Sequence, residues 1–165
     1  MDSASNSFAT IESELESHGI YASNTMGVSM RPLFKTHRDM VILKKPEGEL
    51  KKYDVALYRV REKYILHRVI AVREHEYIIR GDNTFKKEHI PKEAVIGVLI
   101  AFNRCGKRHE VTELGYKIYS RVWHYIYPLR VLYNFAYRVL AKIYRTLFKR
   151  RKQNKNKQQG NNELP

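Results

Sequence analysis

The stretch DVALYRVREKYILHRVIAVREHEYIIR, running from Asp54 to Arg80, decides the fold. Three runs in it, Asp54 to Val60, Lys63 to Val72 and Glu76 to Arg80, are rich in Val, Ile, Leu and Tyr, the residues that suit a pleated surface. The breaks between them are short and charged: Arg61-Glu62, then Arg73 to Glu76. A parallel pair would need a crossover of a dozen residues or more, so these runs are predicted to be antiparallel hairpins. Working outward, Ile20 to Ser23, Met40 to Lys44 and Val95 to Phe102 have the same character. Residues 20–112 are therefore expected to be one mainly β domain.

The flanks read differently. Phe8, Ile11 and Leu15 recur at helical spacing, with Glu12, Glu14 and Glu16 on the other side and Gly19 as a stop. This predicts a short helix from Ser7 to His18, within residues 1–19. The β pattern gives way between Gly106 and Gly115, and residues 113–150 are expected to be a helical extension interrupted at Pro128. In its second half Arg130, Asn134, Arg138, Lys142, Arg145 and Lys149 line one polar stripe, while Trp123, Tyr125, Tyr127, Leu132, Phe135, Val139, Ile143 and Phe148 are apolar or aromatic. Residues 151–165, rich in Lys, Gln and Asn, are expected to be disordered.

At 165 residues the chain has room for one core and an appendage. Its 43% hydrophobic and 29% charged residues exclude a wholly disordered or polytopic membrane chain. Lys and Arg number 31 against 17 Asp and Glu, and from Tyr116 onward there are 12 basic residues against one acid, so the basicity belongs to the tail. A single cysteine, Cys105, excludes an intrachain disulfide and a cysteine-rich zinc site. His18, His37, His75, His89, His109 and His124 show no metal-ligand spacing, and neither metal nor cofactor is expected. The first residues lack the basic and apolar regions of a secretory signal, which predicts a cytoplasmic protein.

The chemistry is expected around Gly27-Val28-Ser29-Met30-Arg31-Pro32. A serine hydroxyl is a poor nucleophile until a base takes its proton, so an acyl-transfer site needs Ser, a base and donors for the oxyanion. Ser29, between Gly27 and Pro32, suits an exposed and sharply turned backbone. His67 lies on a predicted strand beside Leu66 and Val69 and is the expected base. Arg68 cannot be one, since guanidinium stays protonated, and strand alternation should send it to the opposite face. Asp82-Asn83 is also a turn signal in any protein.

Read in order, the Gly27 to Pro32 segment, Tyr53 to Tyr58, Leu66-His67-Arg68-Val69-Ile70, Arg80-Gly81-Asp82-Asn83 and Ile96-Gly97-Val98 resemble the catalytic domain of type I signal peptidases. The wider superfamily includes the self-cleaving repressors of the SOS response. The resemblance covers roughly Ile20 to Phe102, and the His67-Arg68-Val69-Ile70 context sides with the histidine-containing endoplasmic-reticulum and archaeal forms. It implies a coiled antiparallel β domain and a serine endopeptidase that cleaves a signal-peptide-like or leader segment of a precursor. It also implies an acid that orients His67. Asp82 is the first choice and Glu88, which stands where those relatives have Asp, the second. Ser29 N–H is the default oxyanion donor. Some relatives add a hydroxyl two residues earlier, which Gly27 cannot supply; Gly27, Met30 and Pro32 are assigned to the substrate and oxyanion side.

Membrane-bound members of that family carry a transmembrane helix before the serine, where this chain has an acidic helix. The Arg and Lys stripe beside an aromatic face suits an in-plane helix at an anionic membrane surface, and equally a helix packed on the β domain with its charges solvated. Nucleic acid ranks below both, because no recognised binding module accompanies the tail. The alternative function is a non-catalytic or autoproteolytic regulatory module whose tail binds membrane or nucleic acid.

Overall fold

In the computed structural model, which describes residues 10–161, the central hairpin joins β3 (Val55–Val60) to β4 (Lys63–Val72). Val60 stands opposite Lys63, and Arg61 turns the chain with φ 54°. β5 (Glu76–Arg80) returns antiparallel to β4, as the short charged break requires. β1 (Ile20–Asn24), β2 (Met40–Lys44) and β7 (Val95–Arg104) complete the expected strands.

Two further strands were not expected. β6 (Glu88–Pro91) ends in a proline, and β8 (Lys107–Glu110) is wholly polar. Among the described residues each pairs on one side only, β6 with β5 and β8 with β7, so neither needs the apolar alternation that marks a strand in sequence. The turn into β8 uses Cys105 and Gly106 at φ 51° and 77°, the left-handed pair of a tight hairpin.

The sheet is antiparallel throughout the described residues, ordered β1-β2-β7-β3-β4-β5-β6 with β8 beside β7. Register shifts in β7 against β2 and β3, and in β4 between Val69 and Ala71, bend these strands and raise their local twist. Alternation along β3 then feeds two cores. Val55 and Leu57 join Met30, Leu33, Phe34, Val41, Leu43, Leu99 and Phe102. Ala56 and Tyr58 join Leu50, Val69, Tyr77, Ile79 and Ile90 on the other face.

Helix α1 (Ile11–His18) starts at Thr10, whose Oγ1 accepts from Ser13 N–H at 3.3 Å, and ends at Gly19 in the left-handed conformation. Leu15 is its buried residue; Phe8 lies outside the described residues. Helix α2 (Leu114–Tyr125) and helix α3 (Tyr127–Asn161) follow, with Pro128 in the first turn of α3, where no intrahelical N–H is needed.

The chain divides into two compact units after His124, so most of α2 belongs with the sheet rather than with the extension expected from residue 113. The backbone of α3 stays helical to Asn161, through residues expected to be disordered. Propagating an existing helix costs far less than nucleating one, and Lys and Gln are good helix formers. Among the described residues no helix is long and apolar enough to cross a membrane.

Candidate active site

Ser29 lies in the loop between β1 and β2, and that loop is fixed from beneath. Met30, Leu33 and Phe34 are buried in the first core, and the Arg31-Pro32 peptide is cis. The fully buried Asp39 closes the loop's base: its carboxylate accepts from Lys35 N–H at 2.8 Å and from both arms of Arg38 at 2.6 and 2.7 Å. Burial opposes the charged form of Asp39, and these donors overcome it, holding its carboxyl below the usual range. Thr25 ties the two ends together, donating from N–H and Oγ1 to the Asp39 carbonyl at 2.9 and 3.1 Å. Gly27 is at φ 80°, a conformation glycine adopts without strain, and Thr36 Oγ1 donates to its carbonyl.

His67 sits on β4 opposite Ala56, and Arg68 opposite Val55, so alternation sends them toward different cores. His67 is therefore the diagonal neighbour of Tyr58 across the strand pair. Its Nδ1 lies 3.0 Å from the Tyr58 hydroxyl, which in turn donates to Glu88 on β6. Nδ1 and the Glu88 carboxylate are 3.9 Å apart, with the phenol bridging them. Burial, then the Glu88 charge, pushes the Tyr58 hydroxyl far above the ordinary phenol range, so it keeps its proton. A phenol that donates to Glu88 accepts from Nδ1–H, which leaves Nε2 as the lone-pair nitrogen.

Nε2 faces Gly81. A Cβ on that glycine would stand 2.9 Å from Nε2 and 2.7 Å from the main-chain oxygen of Ser29, so the imidazole and the serine's backbone converge on one point. The glycine is required there because any side chain would wedge them apart. Asn83 N–H donates to the Ser29 carbonyl at 2.7 Å and Asn83 Nδ2 to the Val28 carbonyl at 3.2 Å, locking the Gly81 turn to the serine loop. Burial holds the His67 pKa below its usual value, while Glu88 and Asp82 pull it the other way.

The two acids proposed to orient His67 are placed differently. Asp82 is committed to Arg68, whose Nε and Nη2 donate to its two oxygens at 2.8 and 2.7 Å. Both side chains are almost wholly buried, Arg68 at 2% and Asp82 at 3% exposure. Arg68 also donates to the Tyr53 carbonyl and the Tyr116 hydroxyl, at 3.0 and 3.2 Å, and its guanidinium faces the Tyr116 and Tyr119 rings. From α2, Tyr119 donates to Asp82 Oδ2 at 3.0 Å and Trp123 Nε1 to the Asp82 carbonyl at 2.8 Å. The acid that reaches His67, through Tyr58, is Glu88. Tyr58, Tyr119 and Trp123 are site residues that the sequence motifs do not single out; the diagonal of a β3–β4 hairpin is the signal that points to Tyr58.

A cleft of about 670 Å³ opens beside Ser29. Tyr21 and Ser23 of β1, Tyr64 to Leu66 of β4, and the apolar Met30, Phe34 and Leu57 are among the residues that line it. Gly27 and Met30, assigned to the substrate side, line it; Pro32 is exposed in the supporting turn. Among the described residues no group of three or more His, Cys, Asp or Glu is placed to hold a metal ion. No protein-family model matches the chain, and no curated protein matches it.

Proposed function

We propose that the protein is a serine endopeptidase of signal-peptidase-like fold, with Ser29 as nucleophile and His67 as general base. The observation that carries this reading is the convergence at Gly81: an imidazole whose Nδ1 is held by the Tyr58–Glu88 pair turns Nε2 toward the backbone of a serine on a sharply turned, well-supported loop. The antiparallel sheet and the motif order of the sequence support it further.

The chemistry follows from these roles. Ser29 Oγ adds to the scissile carbonyl carbon as its proton passes to His67 Nε2, and the oxyanion meets Ser29 N–H. The imidazolium returns that proton to the leaving amine as the C–N bond breaks. Water then attacks the acyl-serine, giving its proton to Nε2, and the ester bond breaks with Oγ reprotonated. Throughout, Nδ1–H stays on the Tyr58 oxygen, and Glu88 stabilises the positive imidazolium through that phenol.

The substrate is an extended segment of a precursor, laid along the cleft between β1 and β4. Among the described residues β1 pairs only with β2, so its outer edge offers main-chain donors and acceptors to an added strand, with side chains entering the largely apolar cleft. The test is mass spectrometry of leader-containing peptides incubated with the wild type and with Ser29→Ala. Cleavage by the wild type alone is expected; cleavage that survives in Ser29→Ala overturns the reading.

A further inference from the structure

Helix α3 sets a basic stripe beside an apolar face. At 3.6 residues per turn, Leu129, Leu132, Phe135, Val139, Leu140 and Ile143 cover an arc of about 140°. Each is between 40% and 67% exposed. Tyr133, Tyr137 and Tyr144, also exposed, extend this face along one border, where the first two rings stack. Arg130, Asn134, Arg138, Lys142 and Arg145 occupy the opposite arc. No Asp or Glu occurs anywhere from Leu114 to Asn162.

That combination discriminates between occupants. An apolar face this wide, continuous over several turns, exceeds the scattered exposed side chains of an ordinary surface. A second copy packed against it would bring two basic stripes alongside one seam with no acid to pair either. Nucleic acid would neutralise the stripe and leave Leu129, Leu132, Leu140 and Ile143 in water. A lipid interface offers headgroup phosphates and acyl chains within one helix diameter, and tyrosines along the border suit the headgroup depth. We propose that α3 lies in the plane of an anionic lipid surface, its Leu and Phe side chains in the acyl boundary and its Arg and Lys side chains on the headgroups. α2 independently carries the same pattern: Leu114, Ile118, Val122 and Tyr125 are exposed along one stripe beside Lys117 and Arg121.

This goes beyond the peptidase reading, and its test reads lipid binding rather than hydrolysis, so the two stand or fall separately. Full-length protein is floated with vesicles of phosphatidylcholine alone and of phosphatidylcholine mixed with phosphatidylglycerol. About tenfold more protein should float with the anionic vesicles. Leu132→Ser with Leu140→Ser should cut that binding about tenfold. Arg138→Gln with Lys142→Gln should erase most of the difference between the two vesicles, with circular dichroism verifying helix content in both variants. Equal or absent flotation overturns the proposal, as does binding indifferent to the leucine changes. So does duplex DNA binding with a steep salt slope and no lipid uptake, or a dimer in sedimentation that the leucine changes dissolve.

Discussion

Around Arg68 opposite charges are brought together and buried, whereas along α3 charges of one sign are displayed to solvent. Arg68 and Asp82 satisfy each other at 2.7 and 2.8 Å with almost no exposure, and the buried Asp39 carboxylate is likewise matched by Arg38, whose own side chain reaches solvent. On α3, Arg138, Lys142 and Arg145 stand exposed in a stretch of sequence without an acid. Buried, matched charge fixes geometry; exposed, unmatched charge leaves its free energy to be released on a partner. The first region is where substitutions should damage chemistry and stability, the second where they should damage neither.

The most damaging changes are at the convergence point. Ser29→Ala and His67→Ala should each lower peptide hydrolysis by about 10⁴-fold or more in single-turnover assays. Thermal unfolding of Ser29→Ala should stay close to the wild type.

Next come the two acids, which the comparison separates. Asp82→Asn leaves the buried Arg68 guanidinium without its counter-charge and should destabilise the protein by about 3–5 kcal/mol in chemical denaturation. Glu88 has a side chain 27% exposed, so Glu88→Gln should leave the denaturation midpoint much closer to the wild type while lowering kcat. If the two variants lost stability equally, the division of labour between them would fail. Tyr58→Phe removes the hydroxyl between His67 Nδ1 and Glu88, and should lower kcat on the order of tenfold to a hundredfold with little change in KM. Rescue of the rate in a Tyr58→Phe, Glu88→Gln double variant would break that chain of contacts.

Acidity gives a finer test. Burial lowers the His67 pKa, so the acid limb of kcat/KM should fall below the ordinary imidazole value of about 6.5. Because the Glu88 charge raises that pKa, Glu88→Gln should move the limb further into acid. The same sign applies to folding: the unfolded chain takes up the His67 proton at higher pH than the native one does, so this residue's contribution is present above the ordinary imidazole range and is lost on acidification. The smallest effect belongs to the other region. Arg138→Gln with Lys142→Gln should shift the melting temperature by no more than about 2 °C and leave hydrolysis of a short free peptide unchanged.

Much of the sheet was legible because its inner strands announce themselves. Val55 to Val60 and Lys63 to Val72 are buried on one or both faces, and such runs keep their apolar residues wherever they are read. β6 and β8 were not, since four-residue edge strands ending in Pro91 or reading Lys107 to Glu110 carry no periodicity. The serine and the histidine stood out through their motifs. The acid beside the histidine did not: Asp82 and Glu88 are equally polar in sequence, and which of them Arg68 claims is settled only when β4 and the Gly81 turn are side by side. The role of α2 was hidden for the same reason. Tyr116, Tyr119 and Trp123 look like one face of a basic helix until Arg68 and Asp82 are seen beneath them.

Trp123 is the chain's single tryptophan, and its indole N–H donates to the carbonyl of Asp82, next to the glycine that separates His67 from Ser29. The molecule thus carries an intrinsic optical probe wired to that glycine turn. Its emission and its quenching report on the turn without any label, and a stopped-flow fluorescence trace can time a rearrangement there directly.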